Sequence, residues 1–391
     1  MTRGRRWLLR ILGVLALLGA AGYLFVWRPV SSAAAFLTRL TGPTPDAAAL
    51  LAAGVRTWPA VPGEGGRAGV PRCLVLDGPE ASSPVLVVVA GVTPEGIDDP
   101  RVGLLALSLR AAGFAVVAPE LLRLARPGEG PDPAEAVRAA LAAAARPGAG
   151  PWDGKRVGVV GVSLGGGVAL RAVAAASRVR PSVPVSALLL VGMPDDVRTL
   201  APGWFRLPVA GESDEQSVTA HSEAGLFARH SVLRAALPAL VPEADVAPLR
   251  AWIDAVGEKP SGRLPAPALL TSPAAMRWIS VVRAESEALP ADVAWALEAA
   301  APLLALVSPA AWDDELQGVT APVFLLHGQS DPLVSSDEMA PLARRLERHT
   351  RVERLHSRLI AHVSVESPGV LETWRHLRFL TEFFEAVRSS R

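Results

Sequence analysis

The chain is poor in several things, and each shortage excludes something. It has one cysteine, Cys73, so no intrachain disulfide can form and no cysteine cluster can hold a metal. Cys73 sits in the apolar run Cys73-Leu74-Val75-Leu76, where a free thiol reads as a buried, inert core residue. Lysine is nearly absent, with only Lys155 and Lys259, so the positive charge is almost all arginine. Charge as a whole is scarce: 20% of residues are charged and 50% hydrophobic, a balance that excludes a disordered chain. Acids are missing from the first part altogether. Six arginines (Arg3, Arg5, Arg6, Arg10, Arg28, Arg39) precede the first carboxylate, Asp46. Removing those six from the 39 basic residues leaves 33 against 38 acidic ones, a net of −5. A mildly acidic body lacks the concentrated basic charge that phosphate backbones require, so no nucleic-acid partner is expected. There is no H-E-x-x-H, no C-x-x-C, no calcium-loop spacing and no nucleotide-binding glycine fingerprint, so no metal site is expected.

What the first residues do contain is an apolar run. Ile11 to Trp27 is uncharged, 17 residues long, and in a helix spans about 25 Å; with Trp7 to Leu9 it approaches the roughly 30 Å of a bilayer core. Trp7, Tyr23 and Trp27 stand near its ends, where amphipathic rings favour the interface. The spacing predicts an N-terminal transmembrane anchor or signal segment over residues 1–28. The arginines before the run predict that the body lies on the non-cytoplasmic side, in a bacterium the periplasm. The alternative is cleavage near Ser32-Ala33-Ala34-Ala35 to give an exported soluble protein. Arg5-Arg6 resembles a twin-arginine export signal.

Residues 29–69 are rich in Pro, Gly and Ala and read as a linker with one short helix near Asp46–Ala53. From Val70 short β-branched runs alternate with helix-like segments. Candidate strands are Cys73–Leu76, Val85–Ala90, Ala115–Ala118, Val157–Val162, Ala187–Val191, Val323–His327 and Val352–Leu355. Val85-Leu86-Val87-Val88-Val89 is apolar without alternation, as in a strand buried on both faces. The alternation predicts an α/β fold, a mostly parallel sheet flanked by helices. It breaks between Pro194 and Thr320, where proline-cut helical pieces hold five of the ten tryptophans. A loop of that length is not plausible. The expected organisation is a core in two parts, 70–193 and 321–391, with a helical cap inserted over 194–320.

Gly161-Val162-Ser163-Leu164-Gly165 lies between a buried-strand pattern and a helix pattern. That is the setting in which a G-x-S-x-G serine is lifted onto a tight turn at the sheet's C-terminal edge. Gly161 and Gly165 leave room for the backbone to approach, and the helix N-terminus favours negative charge. A nucleophilic serine needs a base, and the base an orienting acid. Asp331 follows the strand Val323–His327, and His362 lies in the loop after the strand Val352–Leu355. His356 and His327 read as strand-end packing residues, and His221, His230, His349 and His376 as surface or cap residues. Asp195 and Asp196 are the rival acids.

On these motifs the chain resembles the α/β-hydrolase fold superfamily, from Val70 to Arg391 apart from the cap. The resemblance implies Ser163 as nucleophile, His362 as general base and acid, and Asp331 as its partner. It implies an oxyanion hole from the backbone N–H of Leu164 and of Val92, the latter in the loop after Val85–Ala90. Many relatives carry His-Gly there; this chain has Ala90-Gly91. The implied function is serine-dependent hydrolysis of a carboxylic ester, on a small-molecule ester or lipid and without a cofactor. A peptidase on the same fold has less support. A second class of reading is a non-catalytic hydrolase-like domain binding a lipid or protein partner at the membrane. The cap tryptophans either form the cap's own core or line an acyl pocket.

Overall fold

The structure, a computed structural model, describes residues 28–58, 70–93, 95–121, 132–146, 148, 150–178, 183–205, 223–257, 272–283, 290–331, 333–358, 360–361, 364–365 and 370–389. In chain order the first elements are α1 (Arg28–Leu40), α2 (Ala47–Ala52), β1 (Arg56–Trp58), β2 (Cys73–Leu76), β3 (Val85–Val89), α3 (Pro100–Ala111), β4 (Ala115–Pro119), α4 (Pro133–Ala144), β5 (Val157–Val162), α5 (Leu164–Ala176) and β6 (Val185–Val191). Helices α6 (Val197–Leu200), α7 (Glu223–Leu240), α8 (Glu243–Gly257), α9 (Pro273–Arg283) and α10 (Pro290–Leu306) then intervene. The chain returns to the sheet with β7 (Val323–Gly328), α11 (Met339–Leu346), β8 (Val352–Ser357), the short pair β9 (Ile360–Ala361) and β10 (Ser364–Val365), and α12 (Val370–Arg388).

Eight strands form one sheet in the order β1-β2-β4-β3-β5-β6-β7-β8. From β4 to β8 every neighbouring pair is parallel; β2 runs antiparallel to β4, and β1 antiparallel to β2. The strands are apolar on both sides because both sides are covered. Val85, Val87 and Val89 pack into one core with α4, α5 and the cap helices. Leu86 and Val88 pack into the other with residues of α1, α3 and α12. The two-residue period of a strand assigns alternate residues to opposite layers. Both α3 and α4 begin with Asp-Pro. Asp99 accepts from Arg101 N at 2.8 Å, and Asp132 from Ala134 N at 2.9 Å, with proline at the first helical position, where its missing N–H costs nothing.

The described part of the expected connector, residues 29–58, departs from that expectation. Helix α1 spans nearly its whole first third and buries Ala33, Phe36 and Leu37 against α3 and α12. Phe36 meets Phe384 edge-on at 5.8 Å, and Arg388 donates to Ser32 Oγ at 3.0 Å. Strand β1 adds a short antiparallel edge, fixed by an Arg56–Asp77 ion pair at 2.5 Å. Cys73 is fully buried in β2, and burial pushes its thiol up to about 12. Among the described residues no helix is long and apolar enough to cross a membrane; the expected spanning run Ile11–Trp27 lies outside the described residues.

The cap helices extend the core on the α4 and α5 side of the sheet. Trp252 and Trp278 meet at 6.2 Å, and the indole N–H of Trp278 donates to Leu233 O at 3.2 Å. Trp204, in the 3-10 turn Ala201–Phe205, donates to Leu333 O at 3.1 Å, and Trp312 to Ala305 O at 3.1 Å. These indoles are packed and hydrogen-bonded as structural residues. Trp295 differs, with the Arg277 guanidinium 4.3 Å over its ring.

Candidate active site

Ser163 connects β5 to α5, and its backbone is strained. It has φ 51° and ψ −133°, and is the one non-glycine residue with positive φ among the described residues. Such a conformation costs about 1–3 kcal/mol and persists only where the surroundings impose it. Its N–H donates to Val191 O on β6 at 2.8 Å, and its carbonyl accepts from Gly166 N at 2.9 Å. The turn is therefore held from the neighbouring strand and from the helix it starts. The side chain of Ser163 is left half-buried at the sheet's edge.

Two glycines make the approach possible. A Cβ on Gly161 would lie 2.7 Å from Gly166 Cα, so strand and helix could not close the turn. A Cβ on Gly165 would collide with the carbonyl oxygens of Val89 and Ala90, at the end of β3. The loop leaving β3 thus runs directly beside the start of α5. A third glycine, which sequence reasoning noted only as part of Ala90-Gly91, belongs to the same contact. A Cβ on Gly91 would stand 3.1 Å from Ser163 Cβ and 3.7 Å from Ser163 Oγ. Val92 follows it and, with Ala90, Gly91, Thr93, Ile97 and Leu121, lines a small recess. Leu164, the residue after the serine, is the first residue of α5, where N–H groups have no helical acceptor.

Asp331 lies just past β7, on the same edge of the parallel sheet as Ser163. Its side chain is fully buried; Oδ1 accepts from the N–H of Leu333 at 2.9 Å and of Val334 at 3.0 Å. His327 is buried beside it, with Nε2 2.9 Å from Val334 O and 3.8 Å from Asp331 Oδ2. His362 lies outside the described residues. The residues around it are placed: Ala361 pairs antiparallel with Ser364, and β9 lies against β7.

The stretch between β8 and α12 is tied down at both ends. His376 was expected at the surface or in the cap; it is instead fully buried on α12. Its Nδ1 bonds Glu372 O at 2.8 Å and its Nε2 bonds Ser357 Oγ at 2.7 Å. A carbonyl can only accept, so Nδ1 carries the proton and Nε2 accepts from the serine hydroxyl. Burial pushes the His376 pKa down, against the opposing effect of Glu372. The Arg358 N–H donates to Glu372 Oε1 at 3.0 Å. Gln329, two residues before Asp331, donates its N–H to Ser357 O at 2.7 Å and accepts from Arg358 Nε at 3.0 Å. Sequence patterns carry no signal for this network, because its members are separated in the chain and each reads as a surface polar residue.

The rival residues have other partners. Asp195 is buried against Arg345, with Nε 3.0 Å from Oδ1 and 3.1 Å from Oδ2; burial raises its pKa while Arg345 opposes the rise. Asp196 caps α6. One Glu338 oxygen accepts the N–H of Asp195 at 3.0 Å and of Asp196 at 3.1 Å. Val197 N donates to Ser308 Oγ at 3.0 Å, and Ala310 N to Asp195 O at 3.2 Å, so these residues join the cap's entry to its exit. His356 and His349 are exposed; His230 is half-buried on α7, and His221 lies outside the described residues.

No family model matches the chain, and no curated protein matches it. Solved structures of similar shape include a carboxyl esterase from the mycorrhizal fungus Tuber melanosporum, 16% identical over 85% of this chain and 86% of that one, with a TM-score of 0.46. A bacterial heroin esterase is 20% identical over 86% and 84%, with a TM-score of 0.45. A thermostable esterase from Pseudomonas putida is 14% identical over 92% and 90%, with a TM-score of 0.46. A strained serine between a central parallel strand and a helix, with the loop after β3 beside it, is the arrangement that defines an α/β-hydrolase elbow. By that elbow and by its sheet, this chain has the α/β-hydrolase fold.

Proposed function

We propose that the chain is a serine hydrolase acting on carboxylic esters of small molecules or lipids. The observation that carries the reading is the strained backbone of Ser163 with Gly91 against its side chain. Nothing in packing alone calls for a serine at positive φ, and strain of this kind collects at functional sites. In the proposed reaction Ser163 Oγ attacks the ester carbonyl while His362 takes its proton. Asp331 holds the histidine in the tautomer that can accept. The N–H groups of Leu164 and Val92 receive the developing oxyanion, where fixed donors in a partly buried site lower the barrier most. Collapse breaks the ester C–O bond, and His362 returns the proton to the leaving alcohol. Water then attacks the acyl-enzyme by the same steps and releases the acid. The test is labelling of the full-length protein by a fluorophosphonate probe. Labelling that disappears in Ser163→Ala and falls sharply in His362→Ala is the expected result; labelling unchanged in Ser163→Ala would overturn the reading.

We also propose that residues 1–28 hold the protein in a membrane, with the body on the non-cytoplasmic side. The support is the arginine-flanked apolar run of the sequence. Protease added to intact cells with a permeabilised outer envelope should digest the body; full protection would refute this topology.

A further inference from the structure

Helix α7 presents Val232, Leu233, Ala236 and Leu237 to the cap core, all buried. Arg229 stands one turn before Leu233 on the same face and is itself only 5% exposed. Buried charges are ordinarily paired, because a guanidinium with five N–H donors is costly to strip of water. Two buried acids of this chain follow the rule: Asp195 meets Arg345, and Asp99 meets Arg101. Arg229 departs from it. Its Nε is buried without a hydrogen bond, and no ion pair to it occurs among the described residues. Burial alone pushes its pKa down, with no acid acting against the fall. The neighbouring His230 is pushed down to about 4, first by burial and then by the charges of Arg229 and Arg234. Among the described residues no carboxylate faces Arg229.

The place of this charge relative to the catalytic edge follows from contacts. Helix α7 packs on the turn Ala201–Phe205. Trp204 of that turn bonds Leu333 O, and the Leu333 N–H bonds Asp331 Oδ1. The helix bearing Arg229 is thus two contacts removed from the turn that holds Asp331.

We infer that Arg229 is a binding residue for an anionic group, a carboxylate or a phosphate, carried by the ligand of this protein. A bidentate anion would supply the partner that the fold withholds. Joined to the ester-hydrolase reading, on which this step rests, the substrate is an ester bearing a negative charge away from the scissile bond.

The experiment has two arms. In the first, thermal unfolding of the full-length Ser163→Ala protein is followed with added succinate, acetate or inorganic phosphate. A concentration-dependent rise in Tm is expected, and the anion that produces it tells carboxylate from phosphate. The rise should vanish when Arg229→Met is added, and that substitution should by itself raise the Tm of the ligand-free protein, since it removes an uncompensated interior charge. No rise with any anion, or a lower Tm in ligand-free Arg229→Met, overturns the inference. In the second arm, kcat/KM is compared for p-nitrophenyl esters of pentanoate and of hemisuccinate. The preference for the charged ester should fall by about tenfold or more in Arg229→Met, the worth of one charge-assisted pair. Hydrolysis of both esters with an unaltered preference sinks the anion site alone. An anion-dependent Tm without any hydrolysis sinks the hydrolase reading and leaves the anion site standing.

Discussion

The turn at Ser163 and the cap interior at Arg229 both hold something a stable fold would avoid, but in different currencies. At Ser163 the cost is in the backbone: φ is positive at a residue with a Cβ, and β6 and α5 hold it there. At Arg229 the backbone is ordinary helix and the cost is electrostatic, a guanidinium whose Nε is buried without a hydrogen bond and with no acid against it among the described residues. The difference bears on what each can do. Backbone strain fixes one atom in one place, which suits a nucleophile. An unpaired charge fixes no geometry; it selects the sign of what binds. Local destabilisation at two sites in an otherwise well-packed body is what a stability–function trade-off leaves behind.

The comparison can be broken first at the serine. Ser163→Gly should abolish ester turnover, a loss of at least about 1,000-fold, while removing the penalty for positive φ. The net gain in stability is expected near 1 kcal/mol, strain relief less the extra entropy glycine loses on folding. Urea unfolding measures it. A variant less stable than the parent would mean that the turn is not strained and that the contrast with the cap is false. A smaller loss of activity is expected at a buried residue that stores no such cost. His376→Ala removes a ring with both nitrogens bonded, and should lower stability by about 2–3 kcal/mol. Because the ring anchors the stretch from Ser357 to α12, the fluorophosphonate labelling rate of Ser163 should fall more than probe affinity does. Unchanged labelling with the stability loss intact would confine His376 to packing.

How much of this could be read from the sequence follows the same division. The strands of the sheet were legible because β3, β5 and β7 are buried on both faces, which leaves short, β-branched apolar runs too brief for a helix. The elbow was legible because its geometry is local: Gly161, Ser163 and Gly165 must stand at fixed spacing for strand, turn and helix to close. Helix α1 was missed because only Ala33, Phe36 and Leu37 mark its buried face, within a segment whose proline and glycine argue for a connector. Strand β1 has three residues, none of them buried, and so carries no periodic signal. The burial of His376 and of Arg229 could not be foreseen, since a polar residue within a helix reads as solvated until its neighbours in space are known. The placing of Gly91 beside Ser163 depends on β3 pairing with β5, a long-range event with no local sequence mark.

The effect most specific to the cap is on pH dependence. Folded His230 titrates near 4, whereas an unfolded histidine titrates near 6.5. Between those values the unfolded chain holds a proton that the folded chain does not, so stability must fall as pH drops through this window. The slope from this one group is at most about 1.4 kcal/mol per pH unit, less in practice because the ring is partly exposed. Below about pH 4 both states are protonated and the contribution levels off. The cause is divided between burial and the charges of Arg229 and Arg234, and the division is measurable. In Arg229→Met the NMR titration of His230 should move upward, toward but not reaching the ordinary value, because burial and Arg234 remain. Binding of an anion at Arg229 in the parent protein should move it in the same direction. If the titration stays where it was in the variant, the positive charge of Arg229 does not reach the cap interior, and the electrostatic half of the contrast with Ser163 is lost.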